Sequence, residues 1–180
     1  IAGGGDYTKH IRTGGFTKKN ITEAVEGSLQ RLQTDYLDLY QLHWPSRGVN
    51  CFGVRDYPYQ TATKEAENHL EILETLDAFV KAGTIKAIGL SNETPWGTMK
   101  YLQTAKDHNL VRPVTIQNSY SMIHRGYEVG LSEVSMREDI GLLAYSPLAQ
   151  GVLSGKYLDG KSPEGSRGNL FPRFIARYMG

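Results

Sequence analysis

Four short apolar stretches recur along the chain, at 36–45, 85–90, 114–118 and 141–146, and the segments between them place apolar residues at helical spacing. Each stretch is rich in Leu, Ile, Val or Tyr and ends in turn chemistry, the pattern of a β-strand. Strands that alternate with helices imply a parallel sheet built through right-handed crossovers. The first interval is lengthened by a connection at 45–66. The later ones are about thirty residues, the size of a βαβ unit. No strand-to-helix junction carries Gly-x-Gly-x-x-Gly, which argues against a dinucleotide-binding doubly wound sheet. An α/β barrel of the (β/α)8 type fits better. Such barrels need eight strands and about 250 residues. This chain has 180 residues and four strand patterns, so the expectation is about four central strand–helix units, half of a barrel.

The helices have their own signals. Thr17 can cap a helix that carries Ile21, Ala24, Val25, Leu29 and Leu32 on one face. Gly27 weakens that helix by about 1 kcal/mol relative to Ala. A second helix spans about 67–82, with Leu70, Leu73, Leu76, Asp77 and Val80 at helical spacing and Gly83 placed to end it in a left-handed cap. Thr94 and Pro95 start a third, with Met99, Leu102 and Ala105 as its buried face. A weaker one runs over 129–138. Residues 1–16 and those after Gly151 are glycine-rich and read as loop. The 45–66 connection is bordered or lined by Trp44, Phe52, Tyr57 and Tyr59, which suggests an ordered wall.

Side chains alternate faces along a strand. Leu37, Leu39, Gln41 and His43 therefore share one face of the first strand, and Tyr36, Asp38, Tyr40 and Leu42 share the other. Leu37, Leu39 and Ile116 are expected on the inward face of the barrel. A lone histidine at a strand end is more often a satisfied core group than a functional one. The other strand ends shift that balance. They are Ser91 and Asn92, then Gln117 and Asn118, then Tyr145 and Ser146. In a parallel sheet these ends meet at one edge, where barrel active sites lie. Strands do end in polar residues where they meet water. That accounts less well for an imidazole, two carboxamides and a phenol together. Ser, Asn and Gln can pair with an amide ligand group. A tyrosine ring offers a flat apolar face. A histidine can donate to a developing oxyanion. The turn 146–151 would expose backbone amides, as an anion-binding loop does, and Lys156 could add a countercharge.

Composition narrows the classes further. A net charge of +1 with no basic cluster gives no sign of a nucleic-acid partner. No apolar run reaches membrane-spanning length. The single cysteine, Cys51, forms no disulfide within the chain and fits a reducing compartment, so a cytoplasmic protein is expected. No metal site is expected. The chain opens on Ile1 and stops at Gly180 just after a loop-like run, so both ends look cut.

At this point the residues resemble the aldo-keto reductase superfamily. The matching pieces are the run from Asp35 through Tyr36-Leu37-Asp38-Leu39-Tyr40-Gln41-Leu42-His43-Trp44-Pro45, then Lys86-Ala87-Ile88-Gly89-Leu90-Ser91-Asn92. Thr115-Ile116-Gln117-Asn118, Tyr145-Ser146-Pro147-Leu148 and Gly155-Lys156-Tyr157 continue the series. Within the family the chain looks closest to the branch of bacterial Tas-like oxidoreductases and potassium-channel β subunits. The resemblance implies one partial domain over 1–180, cut at both ends. It also implies NADP(H) as cofactor and a small-molecule carbonyl substrate, with oligomeric state left open. His43 matches the histidine of the family's Asp-Tyr-Lys-His tetrad, and Trp44 falls in the substrate pocket. Ser91, Asn92 and Gln117 match the groups that hold the nicotinamide carboxamide, and Tyr145 the ring-stacking position. Ser146, Leu148 and Gly151 match the pyrophosphate belt. Lys156 and Arg167 match cofactor-phosphate positions. The tetrad's Asp, Tyr and Lys have no counterpart in 1–180. They are expected in three strands ahead of Ile1, with one further strand and the segment that reads the adenosine phosphate behind Gly180. The alternative within the same resemblance is a cofactor-binding regulatory subunit.

Overall fold

The computed structural model describes residues 15–50, 56–59 and 68–179. Helix α1 (Lys18–Leu32) leads into β1 (Leu37–Leu42), followed by α2 (His69–Lys81), β2 (Ile85–Ser91), α3 (Pro95–His108) and β3 (Pro113–Ser119). After these come α4 (Leu131–Glu138), β4 (Gly141–Tyr145), α5 (Arg167–Leu170) and α6 (Pro172–Met179). The four strands form one parallel sheet in the order β1-β2-β3-β4, the arrangement the alternating pattern predicts. Among the described residues β1 pairs only with β2, and β4 only with β3.

Local chemistry accounts for the helix ends. The Thr17 hydroxyl accepts the Asn20 amide, the Asn68 side chain accepts the Glu71 amide, and Thr94 accepts the Gly97 amide with Pro95 in the first turn. Gly83, with φ +75°, carries the chain out of α2. Two expected core positions fail. Leu32 is 65% exposed and Met99 is 38% exposed. The buried stripe of α3 is instead Thr98, Tyr101, Leu102 and Ala105, an i, i+3, i+4, i+7 set that leaves Met99 beside it. The tail is also more regular than its glycines suggest. Ser166 caps α5, accepting the Asn169 amide, and Pro172 opens α6.

Register decides the faces of the sheet. Leu42 lies opposite Leu90, Leu90 opposite Ile116, and Ile116 opposite Leu142. This row packs with Ile72, Leu73, Leu76 and Tyr101 into the main core. Ile116, fully buried, therefore belongs to the helix-covered face and not to the inward face. The opposite row holds Gln41, Gly89, Thr115 and Gly141, then Ser91, Gln117 and Leu143, then Ser119 and Tyr145. Gly89 shows how closely that row is drawn together. A Cβ there would lie under 3.0 Å from the Thr115 hydroxyl and 3.2 Å from Gln41 Cγ. Leu143 and Tyr145, 39% and 37% exposed, stand open on this second face. The pairing of β2 with β3 shifts between Ile88 and Gly89, and Val114 is exposed there.

Of the 45–66 connection, Pro45 is buried. Tyr57 and Tyr59 touch edge to face, with centroids 5.1 Å apart, and stand 45% and 83% exposed. Phe52, Cys51 and Glu67 lie outside the described residues, as do both chain ends. No helix among the described residues is long and apolar enough to cross a membrane.

Candidate active site at the strand ends

The carboxyl ends of β1, β2 and β3 are tied together by their own polar groups. The Ser91 hydroxyl donates to the Gln117 carbonyl at 3.0 Å, and the Asn92 amide reaches the same oxygen at 2.9 Å. Asn92 adopts φ +54°, a left-handed turn that asparagine tolerates. Its side chain donates to the His43 carbonyl at 2.8 Å and to the Ser91 hydroxyl at 3.1 Å. His43 follows β1 directly, next in line after the Leu42–Leu90 pair. Its ring meets the Trp44 ring at 4.4 Å, tilted by 48°. The imidazole keeps an exposed side, and partial burial holds it below the ordinary histidine value. It is thus poised as a neutral ring that can donate one N–H. The side-chain amide of Gln117 has no protein partner among the described residues and lies on the open row of the sheet.

At the other edge, Tyr145 offers a half-open ring. Its hydroxyl takes a hydrogen bond of 2.9 Å from Gln150, whose amide also donates to the Ser146 hydroxyl at 2.5 Å. The Gln150 carbonyl oxygen accepts from the Arg167 guanidinium. Gln150 is 6% exposed, so a buried carboxamide links the ring residue to a cation on α5. No sequence pattern assigns it a role. Its only signal was its place inside the 146–151 turn.

Two amides of that turn differ from expectation. Ser146, Ala149, Gln150 and Gly151 have φ of 55°, 49°, 60° and 100°. Successive left-handed residues wind the chain back on itself, so the Ala149 amide donates to the Ser146 carbonyl at 2.8 Å and the Gly151 amide to the Leu148 carbonyl at 2.9 Å. These two amides do not face an anion. What the turn presents is an exposed Leu148 side chain and cations beside it. A Cβ on Gly151 would lie 3.4 Å from the Lys156 ammonium, so glycine lets that charge sit close. Lys156 and Arg167 remain exposed.

A buried ion pair went unread in the sequence. Arg47 donates to Glu93 from both terminal guanidinium nitrogens, Nη1 at 3.0 Å, with the two side chains 10% and 3% exposed. Arg47 also donates to the Thr94 hydroxyl at 3.1 Å, and the Thr94 amide donates to Glu93 at 2.6 Å. The partners stand 46 positions apart, beyond the reach of any local pattern.

Residues from β2, β3 and β4, and from the segments that follow β1, β2 and β4, thus meet at the carboxyl end of the sheet. The family model described as the aldo/keto reductase family matches residues 7–171. The Tas protein of Escherichia coli (strain K12) is 54% identical over 163 residues, which cover 91% of this chain and 46% of that protein. An aldo-keto reductase of Babesia bovis is 38% identical over 192 residues, covering all of this chain and 67% of its own length. A solved structure provisionally assigned as a 2,5-diketo-D-gluconic acid reductase B superposes with a TM-score of 0.57 at 20% identity. It covers 78% of this chain and 42% of its own, and supports the same partial-barrel fold. The chain spans about half the length of the Tas protein it matches. With the match running almost end to end, the chain belongs to the aldo/keto reductase family, a family of oxidoreductases.

Proposed function

We propose that the full-length protein containing this chain reduces small aldehydes or ketones with NADPH, and that the strand-end edge is half of its active site. The observation that carries this reading is the Gln117 amide, unpartnered among the described residues, on the same open face of the sheet as the half-exposed Tyr145 ring. An amide-pairing group beside a flat aromatic face is suited to a nicotinamide, whose carboxamide and ring need those two things. When bound, the nicotinamide supplies the hydride. Tyr145 orients the ring, with Gln150 holding its hydroxyl. Gln117 holds the carboxamide. Ser91 and Asn92 act chiefly by fixing the strand ends, since their donors are engaged within the protein. Lys156 and Arg167 face the cofactor phosphates, with Leu148 and Gly151 shaping the turn and Ser146 held by Gln150. His43 donates to the carbonyl oxygen and Trp44 lines the substrate side.

The spacing suits that division. Three strand intervals of about 4.8 Å put β1 about 14 Å from β4, room for a nicotinamide ring and a small carbonyl side by side. The proton donor, with its lysine and aspartate, would come from sequence ahead of Ile1. The test is NADPH oxidation by the full-length protein with an activated aldehyde, alongside NADPH binding. Turnover supports the reading. Tight NADPH binding without turnover would replace it with a cofactor-binding regulatory subunit.

A further inference from the structure

We propose that the Arg47–Glu93 pair is a latch that positions His43 for the substrate oxygen, an inference that rests on the carbonyl-reductase reading above. Stability alone does not account for the pair. A buried ion pair is weak evidence for stability, because an apolar pair of similar size often does as well. What a two-pronged guanidinium–carboxylate contact does supply is fixed geometry. Here it joins two particular loops. Arg47 lies four positions after His43, on the chain leaving β1. Glu93 follows Asn92, whose side chain already holds the His43 carbonyl at 2.8 Å. The five residues from His43 to Arg47 are therefore clamped at both ends to the same loop after β2, with Pro45 buried between.

The surroundings are built to keep that clamp closed. Glu93 accepts the Thr94 amide, and its backbone carbonyl accepts the Asn118 side chain at 2.9 Å. The loop thus reaches β3 as well. The Arg47 guanidinium lies 5.0 Å from the centroid of the Trp96 ring. Gly97 leaves the space the pair occupies, since a Cβ there would lie under 3.0 Å from both the Glu93 carboxylate and the Arg47 guanidinium. Misplacing a reacting group by about 1 Å can cost on the order of 100-fold in rate, so a clamp at each end of the His43 segment has a direct kinetic consequence.

The test uses the full-length protein and the variants Arg47→Ala, Arg47→Lys and Glu93→Gln. Three quantities are read: kcat and KM for an activated aldehyde, the Kd for NADPH, and the His43 ring resonances by NMR. Arg47→Ala and Glu93→Gln are expected to lower kcat by about 10- to 100-fold, to leave the NADPH Kd within about threefold, and to shift the His43 resonances. Arg47→Lys, which keeps the charge but not the fork, is expected to restore part of the rate and to cover the case in which Arg47→Ala does not fold. Folded variants with wild-type kcat and unmoved His43 resonances would overturn the latch. A wild-type protein that reduces no carbonyl would refute the functional reading instead, while the resonances would still report on the latch.

Discussion

Replacing Gly97 by Ala sets two effects of opposite sign against each other. Gly97 lies in the first turn of α3. On helix propensity alone, Ala there would stabilise by about 0.5–1 kcal/mol. The structure predicts the reverse. The added Cβ would fall under 3.0 Å from both the Glu93 carboxylate and the Arg47 guanidinium, so one of them must leave. These side chains are only 3% and 10% exposed, and breaking a buried pair from one side costs about 3–5 kcal/mol. The Thr94 amide still reaches Glu93, which softens the loss. A net destabilisation of about 2–3 kcal/mol follows, or a fall in Tm of a few degrees in the full-length protein. Thermal unfolding of the full-length protein measures it. A double-mutant cycle with Glu93→Ala should show a coupling of about 1 kcal/mol or more. A Gly97→Ala protein as stable as the parent, or more so, would refute the packing argument.

In the full-length protein, His43→Ala is expected to lower kcat by about 100-fold, the usual cost of one oxyanion donor, with the NADPH Kd little changed. Tyr145→Ala should instead raise the NADPH Kd, and equal losses of cofactor affinity in both variants would undo the division of roles. The His43 imidazole should titrate below about 6.5, as followed by NMR, because partial burial disfavours its charged form. The unfolded chain then binds the proton more readily, so this group's contribution to stability is present above that value and declines as pH falls through the folded pKa; a midpoint above 6.5 would contradict the burial. Residues 1–180 expressed alone should reduce no carbonyl and should self-associate, since β1 and β4 each lack a second partner among the described strands and Leu143 and Tyr145 stand open. Light scattering and NADPH oxidation check this, and a monodisperse, active monomer would refute it.

The elements of this protein are legible in its sequence because they are written locally. Four strand patterns alternating with helices, Thr17 and Thr94 as caps, and Gly83 as a helix stop lead to a parallel α/β sheet without any long-range knowledge. Histidine, serine, asparagine, glutamine and tyrosine at successive strand ends likewise mark one edge. Tertiary structure decided what depends on register and distance. Ile116 sits in an apolar run whose alternation does not say which face is covered by helices, and only its pairing with Leu90 and Leu142 does. The short helices α5 and α6 were hidden by neighbouring glycines and prolines, although Ser166 and Pro172 signalled their starts. The Ala149 and Gly151 amides turn inward because four left-handed residues close the loop on itself. Gln150 and the Arg47–Glu93 pair gain their meaning from partners that sequence periodicity cannot see, because a contact across 46 positions exists only once the strands between are paired.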